Sequence, residues 1–164
     1  MHTIAANALD CRGTYALLLK PREPSPEVSI GARGRMPLRK SGCYIYVGSA
    51  HGSGGLAARL SHHLTSIADP YWHIDYLRRA CSIRGALVAS GVRELEHAWS
   101  RRLVSIDRAA LPMIGFGSSD CSCTAHLVHV ASRVPVQLIG AALAGDGGPL
   151  PRYLARRELE RALL

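Results

Sequence analysis

Hydrophobic positions fall in short, dense runs separated by glycine, proline and polar clusters, and the spacing inside each run decides its element. Gly13 to Lys20 (GTYALLLK) is apolar and β-compatible and stops at Pro21, which predicts a strand followed by a loop from Pro21 to Glu27. Val28 to Leu38 predicts one or two short strands broken at Gly31 and Gly34. Gly42 to Gly48 predicts another, with Tyr44 and Tyr46 on one face. Paired in the simplest way, these strands form an antiparallel meander.

Past Gly52-Ser53-Gly54-Gly55 the period changes. Leu56, Leu60, Leu64 and Ile67 stand at helical spacing, which predicts a helix over Leu56 to Ile67 with Arg59 and His63 on a neighbouring face. Asp69-Pro70 is the pattern of an N-cap and a first helical position, so Tyr71 to Ala80 is expected to be helical. Ile83 to Ala89 predicts a strand, Gly91 to Ile106 a third helix, Ala109 to Thr124 a loop, and Leu127 to Ser132 a final strand. The fold class expected is α+β, a small antiparallel central sheet flanked by helices. The domain is drawn over residues 1–133. Beyond Pro135 come a weak apolar run, the Gly145-Asp146-Gly147-Gly148-Pro149 stretch and a predicted helix from Leu150 to Leu164 without a clean apolar stripe, so residues 134–164 are read as an appendage.

Composition narrows the class. A chain of 164 residues that is 48% hydrophobic is long enough to bury a core, which excludes disorder. Lys and Arg total 20 against 12 Asp and Glu, a balance that favours a polyanionic partner. Only Lys20 and Lys40 are lysines; an almost wholly arginine positive side suits bidentate phosphate contact and is equally what a biased base composition gives. From Val28 to Ala68 there is no acidic residue, while Arg33, Arg35, Arg39, Lys40 and Arg59 fall there with His51, His62 and His63, and a phosphate-facing surface is expected over that stretch. The first residues, Met1 to Asn7, have no basic region leading into an apolar core, no apolar run reaches 18 residues, and the five cysteines are odd in number and scattered. A reduced, cytoplasmic chain with no membrane partner is the expectation.

Hydrolysis of a phosphodiester needs an activated water, charge neutralisation at the phosphoryl group and stabilisation of the departing oxygen. A tyrosine can orient or deprotonate the water, an arginine forks onto phosphate oxygens, and a glutamate with several waters suffices for magnesium. Each residue alone has a duller reading: a strand tyrosine is ordinarily a sheet residue, and an Arg-His pair four apart is ordinarily a solvated helix face. The order Tyr, Tyr, Arg, His, Glu across a sheet followed by helices is what changes the weighting.

That order, from Gly13-Thr14-Tyr15 through Tyr46-Val47-Gly48, Arg59 and His63 to Glu96, resembles the catalytic core of the GIY-YIG endonucleases over about residues 12 to 100. Three further strings, Tyr46-Val47-Gly48-Ser49-Ala50, Trp72-His73-Ile74-Asp75-Tyr76-Leu77 and Phe116-Gly117-Ser118-Ser119-Asp120-Cys121-Ser122-Cys123, resemble an uncharacterised subgroup of that superfamily, domain of unknown function 123, sometimes found fused to DNA-repair proteins. The resemblance implies a metal-dependent endonuclease acting on DNA rather than RNA, and leaves any protein partner open. In it Tyr15 and Tyr46 orient or deprotonate water, Arg59 neutralises phosphate, His63 assists proton transfer, and Glu96, preferred over Glu94, holds one magnesium or manganese ion. Arg33, Arg35, Arg39, Lys40 and His73 are the expected substrate contacts. The two tyrosine motifs usually lie closer together, so a hairpin insertion between them is required, and the superfamily's late asparagine has no counterpart here.

Cys121-Ser122-Cys123 with His126 offers only three zinc ligands, Cys81 being the candidate fourth, so buried free thiols and a loop-ordering histidine are the default and zinc is not expected. Two rivals to the nuclease stand beside it: a nucleic-acid-binding module without turnover, and a zinc-stabilised interaction domain.

Overall fold

A computed structural model describes residues 8–22, 27–131 and 133–164. Met1 to Asn7, read above as carrying no export signal, lie outside the described residues, as do most of the loop after Pro21 and Ser132 at the end of the last predicted strand.

The fold is α+β. A six-stranded antiparallel sheet contains β1 (Gly13–Pro21), β4 (Cys43–Ala50), β5 (Cys81–Ser90), β6 (Ala109–Ala110), β7 (Leu127–Val130) and β8 (Arg152–Ala155), in the order β6-β7-β4-β1-β5-β8. β1 runs beside β4 with Tyr15 opposite Gly48 and Leu17 opposite Tyr46, so both tyrosines project from the same face of adjacent strands. The short strands β2 (Glu27–Ser29) and β3 (Arg35–Pro37) form a separate two-stranded sheet among the described residues and are the hairpin inserted between the two tyrosine strands; the simple meander gives way to this side excursion.

Alternation along β1 and β4 fills both sides of the sheet. Tyr15, Leu17, Leu19, Tyr44 and Tyr46 join one core with α1 (Gly55–Leu64) and α2 (His73–Ala80), and Ala16, Leu18, Ile45 and Val47 join another beneath α3 (Glu94–Val104), which buries Trp99 and Leu103. The segment read as an appendage completes both cores. α4 (Val136–Ala144) inserts Ile139 and Leu143 beside Trp99, β8 adds an edge strand to β5, and α5 (Arg156–Leu163) buries Leu159 in the first core. The helix expected over Leu150 to Leu164 is therefore divided. Leu154 is buried opposite Ala86 at strand spacing, and the Glu158 carboxylate then accepts the Ala155 N–H at 2.7 Å, which starts the helix at Arg156.

Two other helix boundaries move for identifiable reasons. α1 ends at Leu64 rather than Ile67 because Arg78 donates to the carbonyls of His62 and Thr65, at 3.3 and 2.6 Å, taking acceptors that the chain would otherwise cap itself. α2 begins at His73 rather than Tyr71: Asp75, not Asp69, is the capping carboxylate, and it accepts the N–H groups of Tyr71 and Trp72 at 3.1 and 3.0 Å. No helix among the described residues is long and apolar enough to cross a membrane.

Candidate active site

Where β1 begins and β4 ends, a cleft of about 420 Å³ opens, and Tyr15, Tyr46, Arg59, His63 and Glu96 all line it. β1 and β4 supply the tyrosines, α1 supplies Arg59 and His63, and α3 supplies Glu96. Glu94 is exposed and does not border the cleft, whereas the Glu96 carboxylate does, with its side chain 19% accessible.

Tyr15 Oη lies 2.7 Å from His63 Nε2, and both side chains are almost wholly buried. His63 Nδ1 has no hydrogen-bond partner among the described residues. An orphaned buried N–H is costlier than an orphaned acceptor, so the favoured tautomer carries its proton on Nε2 and donates it to Tyr15, leaving the Tyr15 O–H free to point elsewhere. The Tyr15 hydroxyl also explains Gly48: a Cβ at that position would collide with it. Burial raises the pKa of both tyrosines. For Tyr15 the Tyr46 phenol reinforces the rise, for Tyr46 the Glu96 carboxylate does, and Arg59 opposes it in both. Neutral phenols that orient by hydrogen bonding are the state this cleft favours.

Burial, and after it the charges of Arg78, His62 and Arg59, hold the His63 imidazole well below its usual value. The folded chain therefore binds fewer protons at this site than the unfolded one, and the sign follows. Stability is complete above about pH 6.5, the ordinary histidine value, and is lost progressively as pH falls toward the depressed folded value. Thermal melts at neutral pH and at mildly acidic pH check this: His63→Gln, which does not titrate, is expected to show a smaller drop in melting temperature on acidification than the wild type, and an equal drop would exclude His63 as a source.

Arg59 is held by its surroundings. Its guanidinium carbon lies 4.3 Å from the centroid of the Trp72 ring, a stacked cation–π arrangement. Trp72 is fixed in turn by Asp75, which accepts its N–H, and by the edge of His62 at 4.9 Å between ring centres. His62 Nε2 is itself 3.2 Å from Asp75 Oδ1. The string from Trp72 to Leu77 thus works as a brace for Arg59.

None of the five expected substrate contacts lines the cleft. His73 Nδ1 accepts the Gly117 N–H at 2.9 Å and anchors a loop. Arg33 donates to the Ile114 carbonyl at 3.3 Å, Arg35 pairs with Glu27 across the β2-β3 hairpin, and Arg39 is exposed, its backbone N–H donated to Tyr44 Oη. Lys40 borders a separate cleft with Lys20, Arg84 and Arg133. The cleft's further polar side chains are His51, which belongs to the acid-free stretch, and Arg93, His97 and Asp120, which no sequence pattern singled out as site residues. His51 is held in place by Nε2, which donates to the Gly91 carbonyl at 2.9 Å, while Nδ1 faces Ser49 Oγ at 3.0 Å.

A loop walls the cleft. Gly115 N–H donates to Thr124 and His126 N–H to Phe116, each at 2.8 Å, closing the neck of the segment between them. Phe116 is fully buried, with ring centres 6.0 Å from Tyr46 and 5.5 Å from His73. Gly117 follows with φ +72°, in the left-handed region, and turns the chain away from Tyr46 and His126. Glu96 Oε1 lies 3.3 Å from His126 Nδ1, which leaves its second oxygen to the cleft.

The chain matches the family described as Domain of unknown function DUF123 over residues 14–144. No curated protein and no solved structure matches it.

Proposed function

This chain belongs to the DUF123 family, and we propose that it is a divalent-metal-dependent endonuclease of the GIY-YIG type that hydrolyses phosphodiester bonds in DNA. The observation that carries this reading is the convergence of Tyr15, Tyr46, Arg59, His63 and Glu96 on one cleft, from two strands and two helices well separated in sequence.

The donor set suits a hard cation. Glu96 and Asp120 both line the cleft with carboxylate side chains, and magnesium or manganese needs only one or two such ligands because it retains much of its water shell. Bound there, the ion supplies charge stabilisation for the phosphoryl group and the departing oxygen. The rest is the work of side chains. Arg59 presents a planar fork pre-positioned on Trp72, so little rotamer freedom is lost when it meets phosphate oxygens. Tyr46, neutral, orients the attacking water through its hydroxyl. Tyr15, its oxygen accepting the His63 Nε2 proton, keeps its own O–H available to donate to a water or a phosphate oxygen in the cleft, and His63 fixes the direction in which that O–H points.

Arg59 and Arg93 both line the cleft and are the arginines placed to meet the DNA backbone. Duplex affinity is expected to fall steeply with salt, and Arg93→Ala to reduce the slope of log K against log salt by about 0.9, the value of one lost phosphate contact. Arg39→Ala, outside the cleft, serves as comparison and should change the slope less. Salt-independent binding, or a larger loss with Arg39 than with Arg93, would remove this placement of the backbone. The experiment for the reading as a whole is a cleavage assay over branched, nicked and flapped DNA with magnesium and with manganese. Absence of cutting on every substrate, from protein that binds them, would replace it with a binding module.

A further inference from the structure

We infer that His97, Cys121, Cys123 and His126 form a second metal site, one that takes zinc, in the wall of the cleft and apart from the hard-cation position at Glu96. One ligand atom from each of the four residues lies within 4.8 Å of all the others. Zinc with bonds of about 2.0–2.3 Å to nitrogen and sulfur spaces its ligands about 3.3–3.8 Å apart, so a contraction of about 1 Å around an ion completes the tetrahedron. Two thiols and two imidazoles are soft and borderline donors that favour zinc over magnesium or manganese.

The surrounding geometry points to a ligand independently of that clustering. His126 is buried, and its Nε2 faces Cys121 Sγ at 3.4 Å. Its Nδ1 is buried with no hydrogen-bond partner among the described residues, yet Glu96 Oε1 stands 3.3 Å away. If Nε2 binds a metal, the ring proton must sit on Nδ1, and the adjacent carboxylate is then its acceptor, the arrangement by which carboxylates orient metal-bound histidines. The loop carrying both cysteines is closed at its neck by the Gly115 and His126 N–H groups, so Cys121 and Cys123 are presented from a fixed base. The fourth ligand, His97, comes from α3; Cys81, the fourth candidate by sequence, is buried on β5 outside the cluster.

The other tight group of potential ligands, His62, His63 and Asp75, is already spent on internal bonds. Asp75 accepts from Tyr71 and Trp72 and lies beside Arg78, and His63 Nε2 faces Tyr15. Zinc at the thiol site joins the Gly117 to Cys123 loop to α3 and fixes the rotamer of Glu96 through His126. The zinc content is measured without any cleavage assay, so the site stands or falls separately from the nuclease reading.

The test uses the full chain supplied with zinc and then freed of unbound metal. About one equivalent should remain, and iodoacetamide followed by peptide mapping should find Cys121 and Cys123 protected at least about tenfold relative to the chelator-treated protein, with Cys11 labelled equally in both. Cobalt in place of zinc should give tetrahedral visible bands with thiolate-to-cobalt absorption in the near ultraviolet, lost in Cys121→Ser/Cys123→Ser and kept in Cys11→Ala. Equal labelling of Cys121 and Cys123 with and without zinc, or a cobalt spectrum of wild type that lacks thiolate absorption, overturns the site, and neither measurement depends on a variant folding.

Discussion

Glu96→Gln should abolish phosphodiester cleavage, by about 10²-fold or more, while DNA binding stays equal to or tighter than that of wild type. The glutamine keeps size, helix propensity and an oxygen that can still accept from His126 Nδ1, so the change isolates the negative charge that a hard cation needs. Loss of one carboxylate beside bound phosphate also removes a repulsion, which is why binding should not suffer. Glu94→Gln is the internal control, since Glu94 is exposed and two positions away on the helix, pointing off the cleft. Gel-based cleavage and equilibrium binding on the same DNA check both. Undiminished cutting by Glu96→Gln would refute its metal role, and a loss confined to Glu94→Gln would assign the role to the other carboxylate.

Arg59→Lys should lose turnover by about 10²-fold with duplex affinity changed by only a fewfold, because lysine keeps the charge and gives up the planar fork. The stack on Trp72 sharpens this expectation. An ammonium on a flexible stem neither matches two phosphate oxygens nor lies flat on the indole, so positioning is lost twice. Trp72→Leu, which leaves Arg59 in place but unbraced, should lower turnover less than Arg59→Lys while leaving the melting temperature close to wild type, since Trp72 is 37% exposed. Single-turnover rates at saturating protein separate these effects from binding. Near wild-type rates for Arg59→Lys would make Arg59 a surface residue.

What could be read from the chain and what could not divides along physical lines. The two tyrosine strands announced themselves because alternation puts Tyr44 and Tyr46 on one face and because the long gap back to Tyr15 demanded an inserted hairpin, which β2 and β3 supply. Asp69-Pro70 misled because local capping signals cannot show that Asp75 is turned back onto Tyr71 and Trp72 by the buried Arg78 beside it. The last segment misled because Leu154 satisfies a strand pattern only when β5 is present to pair with it. His97 gave no signal at all: on a helix next to Glu96 it is an ordinary polar residue until the fold brings the cysteine loop against it. Likewise the acid-free stretch marked a real concentration of positive charge, but the charge at the cleft comes from Arg59 and from Arg93, which lies outside that stretch.

The contact between Tyr15 and Gly48 has one more consequence. The tyrosine hydroxyl occupies the volume in which a side chain at position 48 would begin, so two letters far apart in the chain behave as one unit of information. A side chain at position 48 must push the Tyr15 ring out of this place, and with it the Tyr15 hydroxyl away from His63. A smaller residue at 15 opens position 48 at no such cost. Drift in these motifs, in nature or in a library, is therefore easier when position 15 changes first.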